Sequence, residues 1–199
     1  MDINDRRMDI NGSLTVPPPP LRLTGHGITL REWTDDDMGD LVTLYDDPEI
    51  ARWTPVASPF DAGAARAYLD RARTGRDDGQ KVQLAITTDG VRPKGEVLLF
   101  RSPSDGRDAE LAYGVGPEHR GQGLAGRAVR LLAEHAVREL RPRRVVLCIE
   151  EGNAASEGVA RTAGFTLSDD PPVPRRSERR EALLRVWSLR VRANGDGRG

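Results

Sequence analysis

Val115-Gly116-Pro117-Glu118-His119-Arg120-Gly121-Gln122-Gly123-Leu124-Ala125-Gly126 decides how this chain is read. It joins an alternating run, Ala109 to Val115, to a helical run that ends near Leu140. A strand therefore delivers the chain into a glycine-rich turn, and the turn opens a helix. The first turn of a helix has backbone N–H groups without intrahelical partners, and the helix dipole adds partial positive charge there. Glycines remove the side chains that would hold a phosphate away from those donors. The stretch predicts a pyrophosphate cradle, and the function turns on which cofactor owns the pyrophosphate.

Outward from the cradle, the helix carries Leu124, Ala128, Leu131, Leu132, His135 or Ala136, and Leu140 on one face. Arg127, Arg130, Glu134 and Arg138 mark the other face, with Arg130/Glu134 and Glu134/Arg138 spaced for i,i+4 pairs. Pro142 stops it, and Arg144 to Glu150 is a near-continuous apolar strand of the sort buried on both faces. Asn153 caps a short helix through Val159 and Ala163, and Gly164-Phe165 turns into a strand. A Pro-rich basic loop over Pro171 to Arg180 leads to a closing strand, Ala182 to Val191.

On the other side, Leu21 to Arg31 reads as a first strand with a turn at Gly25-His26-Gly27. Thr34 caps a helix through Met38, Leu41, Leu44 and Tyr45 that Asp47-Pro48 ends; a proline-punctuated loop carries Trp53; Asp61 caps a second helix. Val82 to Ile86, Gly95 to Phe100 and Ala109 to Val115 follow as strands. Residues 1–20, with a repeated Met-Asp-Ile-Asn and Pro17 to Pro20, read as a disordered leader, and 192–199 as a frayed tail, around one domain over 21–191.

Composition excludes several classes. The 199 residues carry a net charge of −1, so nothing marks nucleic acid or an anionic membrane as a partner. No apolar run approaches the roughly 20 residues of a membrane span. One cysteine rules out an intrachain disulfide, and a cytoplasmic location is the expectation. His26, His119 and His135 are too scattered for a metal site, so no metal is expected.

Two patterns fit the cradle. Gly121-x-Gly123-x-x-Gly126, with Glu150 further on, satisfies the dinucleotide fingerprint. Arg120-x-x-Gly123-x-Ala125 satisfies the Q/R-x-x-G-x-G/A motif of the GNAT N-acetyltransferase superfamily. A dinucleotide fold puts its first glycine at the strand's end and needs serial βαβ units; here four residues intervene and one unit is visible. A second motif, Asn153-x-x-Ser156-x-x-Val159-Ala160-x-x-x-Gly164-Phe165, follows the buried strand. Together the two motifs make the chain resemble the GNAT superfamily. The front end, Leu30-Arg31 and Asp46-Asp47-Pro48-Glu49-Ile50, looks most like its ribosomal-protein alanine/serine N-acetyltransferase branch.

The resemblance implies an α/β (α+β) GNAT fold, a mixed sheet of about seven strands splayed in the middle with about four helices. It implies acetyl-CoA as cosubstrate and a primary amine as acceptor, on a protein N-terminus or a small molecule, reached by direct transfer in a ternary complex. A monomer or a homodimer is compatible with it. Backbone N–H groups over Arg120, Gly121, Gln122, Gly123, Leu124, Ala125 and Gly126 are expected to hold the pyrophosphate. Gly114 and Val115 are expected to pair with the pantetheine arm, and the Asn153 side chain to hydrogen-bond it. Ser156 matches a position near the thioester sulfur.

The chemistry needs a neutral amine held against the thioester carbonyl and a stabilised leaving thiolate. Glu110 is the first candidate base, since it shares a strand face with Ala112 and Gly114; Glu96 on the preceding strand is the second. Relatives place a tyrosine four residues before the closing Gly164, where this chain has Ala160, which leaves Ser156 to serve the sulfur. The alternative readings are an acyl-CoA-binding domain without turnover and an NAD-type enzyme. Cys148 reads as a buried small hydrophobe, and Trp53 as a wall of the acceptor pocket. Arg175, Arg176, Arg179 and Arg180 read as a solvated hairpin tip or a lure for an acidic acceptor.

Overall fold

His26 and Gly27 both adopt positive φ, 52° and 70°, and such a two-residue turn matches the twist of an antiparallel hairpin. The first strand of the sequence reading is therefore two, β1 (Arg22–Gly25) and β2 (Ile28–Glu32). A computed structural model describes residues 16, 19–102, 107–177 and 181–190. Most of the expected leader, the whole expected tail, and Arg179 and Arg180 lie outside the described residues. Val16, inside the expected leader, is buried against the core.

The order continues α1 (Met38–Tyr45), α2 (Pro48–Trp53), α3 (Ala62–Asp77), β3 (Lys81–Thr87), β4 (Gly95–Arg101), β5 (Ala109–Val115). Then come α4 (Leu124–Leu140), β6 (Val145–Glu150), α5 (Ala154–Thr162), β7 (Thr166–Leu167), β8 (Val173–Arg176) and β9 (Glu181–Leu189). The extra helix is α2. Asp47 does not merely end α1; its side chain accepts from the Ile50 N–H at 2.9 Å and caps α2, with Pro48 at a first-turn position that needs no donor. The extra strand is β8, inside the Pro-rich loop.

The nine strands form one sheet in the order β1-β2-β3-β4-β5-β6-β9-β7, with β8 also paired to β9. All pairings are antiparallel except β5 with β6. One sheet face, including Val97, Leu99, Leu111, Val145 and Leu147, packs against the apolar face of α4. Each fully buried leucine there contributes about 1.5–3 kcal/mol relative to exposure. The other face carries α1 to α3 and a second cluster of Leu41, Leu44, Tyr45, Ile50, Phe60, Ala65 and Leu69. The expected pairs along α4 do not form. Glu134 meets His26 at 3.1 Å and Arg130 donates to the Thr162 carbonyl at 2.6 Å, because neighbouring elements offer closer partners.

Asp108 ties the start of β5 to that of β6. Its carboxylate, 1% exposed, accepts from Arg143 at 2.8 and 2.9 Å and from Arg144 at 3.0 Å. Burial would push its pKa up, but the two guanidinium groups outweigh it and hold the carboxyl below the ordinary range. A depressed carboxylate stabilises the fold above its unfolded pKa, and that contribution is lost as pH falls through the folded value. Asp108→Asn is expected to cost about 2 kcal/mol at neutral pH. Denaturation curves should show the gap from the parent constant near neutrality and shrinking below about pH 4.

Candidate active site

Strands β5 and β6 pair over three positions only, Ala109 with Val145, Glu110 with Val146 and Leu111 with Leu147. Beyond them β5 stays on β4 through Val115 while β6 stays on β9 through Glu150. The two strands diverge and leave a cleft of about 670 Å³. Its walls are Tyr113, Gly114 and Val115 on β5, the loop and first turns of α4, α5 residues including Ser156, and Glu49, Ile50, Trp53 and Thr54 from α2 and its end.

The cradle opens onto this cleft. Gly121 and Gly123 take φ of +74° and +69°, and nothing lies within 4 Å of where their Cβ atoms would be. Gly123 caps α4 without a side-chain bond. Among the described residues, no backbone N–H from Gly121 to Gly126 donates to a protein acceptor. Orphan donors at an uncapped helix start, lining a cleft, are a site for an anion such as a diphosphate. His119, Arg120, Arg127 and Arg130 line it too, and the three arginines add positive charge.

Arg120 departs from the expectation. Its N–H is taken by the Pro117 carbonyl at 3.4 Å, so the fan of free donors starts at Gly121. Its side chain donates to Asp47 at 2.5 Å and to the Val115 carbonyl at 3.3 Å, which ties the cradle to the cap of α2. Spacing showed Asp47 as a helix stop; nothing local showed this partner, which lies 73 residues away.

Of the other expected residues, Gly114, Val115, Gly121, Gly123, Leu124, Ala125, Gly126, Asn153 and Ser156 all line the cleft. Gln122 sits beside it, its side chain donating to the Glu118 carbonyl at 3.3 Å. The Asn153 side-chain oxygen accepts from the Ser156 N–H at 3.1 Å and caps α5, which sets Ser156 in the first turn. Tyr113, read from sequence only as part of a core face, also lines the cleft and donates to the Ser156 carbonyl at 3.1 Å. Burial pushes its phenol up to about 12, so it stays a neutral donor. Trp53 is in the wall, with its indole N–H on Glu49 at 3.0 Å. Ala160 is fully buried.

Glu110 is not in the lining. It lies where β5 and β6 are still paired, buried, with Arg175 of β8 at 2.5 Å and Cys148 alongside. Burial first, and the Glu110 charge second, push the Cys148 thiol up to about 12, which suits no nucleophile. Glu96 is fully buried opposite Gly114 on β4. Its Oε1 accepts from Trp33 at 2.7 Å and Gln83 at 3.2 Å, and its Oε2 from Tyr45 at 2.7 Å and Tyr68 at 2.5 Å.

Comparison with known proteins agrees with this geometry. The family model described as the acetyltransferase (GNAT) domain matches residues 28–166. The chain belongs to the GNAT acetyltransferase family. It is an acetyl-CoA-dependent N-acetyltransferase, which removes the dinucleotide reading. An L-methionine sulfoximine/L-methionine sulfone acetyltransferase of Pseudomonas aeruginosa is 31% identical over 147 residues, 68% of this chain and 78% of that one. Among solved structures, the microcin C7 self-immunity acetyltransferase MccE, in complex with acetyl-CoA and AMP, superposes with a TM-score of 0.70 at 17% identity. That match covers 84% of this chain and 94% of MccE. RimJ of Mycobacterium smegmatis, in complex with a CoA-disulfide, gives 0.67 at 18% identity over 85% and 86%. Among the described residues no cluster of His, Cys, Asp or Glu could hold a metal, and no helix is long and apolar enough to cross a membrane.

Proposed function

We propose that this GNAT enzyme acetylates the α-amine of an amino-acid-like or peptide acceptor, by direct attack on acetyl-CoA within a ternary complex. The observation that carries it is the cleft itself, with orphan amide donors at one end and a gap between diverging strands at the other. Among the described residues of the lining Glu49 is the sole acid, set against Arg120, Arg127 and Arg130. Such a lining disfavours a polyamine, which needs several carboxylates. An α-amine, with a pKa near 8, needs only one modest base. The relative that acts on L-methionine sulfoximine and sulfone supports the same class, since those acceptors carry an α-amine.

In this reading the N–H fan from Gly121 to Gly126 holds the diphosphate. The unpaired edge of β5 at Gly114 and Val115 and the side-chain NH2 of Asn153, whose oxygen caps α5, hold the pantetheine. Ser156 hydrogen-bonds the departing sulfur, while Tyr113 keeps the α5 turn that bears Ser156 against β5. Glu110 is committed to Arg175 and serves to pin β8, so the base is sought elsewhere.

The test is thiol release from acetyl-CoA in the presence of a free amino acid, an N-terminal peptide, a polyamine or an aminoglycoside. Turnover with either α-amine is expected. Turnover confined to the polyamine or aminoglycoside would overturn the acceptor class, and turnover with none would sink the reading. Ser156→Ala is expected to lower kcat about tenfold, the worth of one hydrogen bond to a developing charge, with coenzyme A affinity unchanged by titration.

A further inference from the structure

Arg120 stands where three parts of the cleft meet. Its backbone leads into the cradle, its Nε donates to the Val115 carbonyl at the end of β5, and its Nη2 donates to Asp47 at 2.5 Å. Asp47 lies outside the lining, but its Oδ1 also accepts from the Ile50 N–H at 2.9 Å and so starts α2. From α2 and its end come Glu49, Ile50, Trp53 and Thr54, all of which line the cleft. One carboxylate oxygen therefore fixes the first turn of that wall and takes the guanidinium of the cradle. The packing around it is close: a Cβ at Gly116 would overlap the Leu44 side chain, and one at Gly114 would stand 3.5 Å from Ile50.

The fold does not require the pair. A serine or an asparagine caps a helix about as well as an aspartate. The Arg120 side chain is 39% exposed, and an ion pair so open to solvent adds little to stability. Burial raises the Asp47 pKa, but the Arg120 guanidinium and the Ile50 N–H outweigh it and hold the carboxyl below the ordinary range. Both partners are thus charged at neutral pH. What a short charge-assisted hydrogen bond supplies is geometry, here the distance between the α2 wall and the cradle.

We propose that Arg120 and Asp47 are positioning residues that hold α2 at the cradle and so set the place of the acceptor amine. This rests on the transferase reading above. Neither side chain meets the reacting atoms. Asp47 acts through the first turn of α2, and Arg120 acts through Asp47. Both Nε and Nη2 of Arg120 are spent on protein acceptors, which leaves the diphosphate to the amide fan from Gly121 to Gly126. With the pair broken, α2 is free to move off β5. An acceptor must then order its own wall on binding, and its nitrogen lies further from the thioester in most of the bound population.

The experiment compares the parent with Asp47→Ser, Arg120→Gln, Arg120→Lys and the double variant Asp47→Ser/Arg120→Gln. It reads acceptor KM and kcat, coenzyme A affinity by titration, melting temperature, and backbone hydrogen exchange over α2 in the free enzyme. The acceptors are the free amino acid and the N-terminal peptide of the thiol-release assay. Asp47→Ser and Arg120→Gln are each expected to raise acceptor KM about tenfold, the worth of one charge-assisted hydrogen bond, with kcat kept. The double variant should be no worse than either single, because both remove the same bond. Arg120→Lys keeps a cation for Asp47 and should recover most of the loss. Coenzyme A affinity should stay within about threefold of the parent in every variant. Exchange over α2 should quicken about fivefold in Arg120→Gln, which leaves the Asp47 cap in place, while melting falls by only a few degrees.

A role in stability alone would lower the melting temperature and the active fraction, hence kcat, and leave KM unmoved; that result overturns the proposal. So do additive KM losses in the double variant, or parent-like exchange over α2 in Arg120→Gln. A coenzyme A affinity that drops tenfold in Arg120→Gln and not in Asp47→Ser would make Arg120 a phosphate ligand and also overturns it. A parent that turns over only the polyamine or the aminoglycoside overturns the acceptor class instead, and the pair is then judged on KM for that amine. A parent without turnover overturns the function, and the exchange and titration results still decide the pair, so the failures are distinct.

Discussion

Gly123→Val is expected to abolish productive coenzyme A binding while leaving a folded protein. Gly123 has a φ of +69°, and a Cβ there meets nothing within 4 Å, so the valine clashes with no neighbour. Two things go wrong. A β-branched residue resists positive φ at a cost of about 1–2 kcal/mol, which drives the backbone out of the shape that aims the amides. The isopropyl group also stands in the open space the diphosphate would fill. Losing two charge-assisted hydrogen bonds costs about 3 kcal/mol or more, hence a Kd raised about a hundredfold or beyond. Calorimetric titration with coenzyme A checks it, and a melting curve only a few degrees below the parent separates binding from folding. Parent-like affinity would show that the cradle does not hold the anion.

Gly95→Ala is the second large effect, and it falls on folding. At Gly95 a Cβ would overlap the Gly114 carbonyl oxygen and stand 3.0 Å from the Val115 Cα. Both obstacles are backbone of the neighbouring strand, so no side chain can swing aside. The β4–β5 pairing must open at the edge of the cleft, at a cost of about 3 kcal/mol or more. A sharp loss of folded yield and a lowered urea midpoint are the expected results. Gly114→Ala provides the contrast. Its Cβ would sit 3.5 Å from Ile50, an ordinary contact, so that variant should fold. Equal stability in the two variants would contradict the close approach of β4 and β5.

The two residues that read as candidate bases show where sequence reasoning stops. Strand parity puts Glu110 on the face of Gly114, and the β4–β5 register puts Glu96 directly opposite Gly114. Nothing in the spacing of either separates a carboxylate that meets a guanidinium from one that meets neutral donors. Arg175 reaches Glu110 from 65 residues away, and Tyr45 reaches Glu96 from 51, so their fates are set by partners far along the chain. The letters show an alanine at position 160 where the resemblance expects a tyrosine, yet that Tyr113 lines the cleft follows only from how β5 leaves β6.

The glycine turn before the long helix, most of the strands and helices, the Asn153 cap and the family were legible in the letters, while the β1–β2 hairpin, α2 and β8 were not. Each of the legible features rests on local physics: alternation, capping, and glycines that free a helix start within a dozen residues. The width of the cleft, the binding of Arg120 to Asp47, and the different partners of Glu96 and Glu110 were not legible. They arise where segments tens of residues apart meet, and burial there sets which carboxylate finds a guanidinium and which finds a phenol.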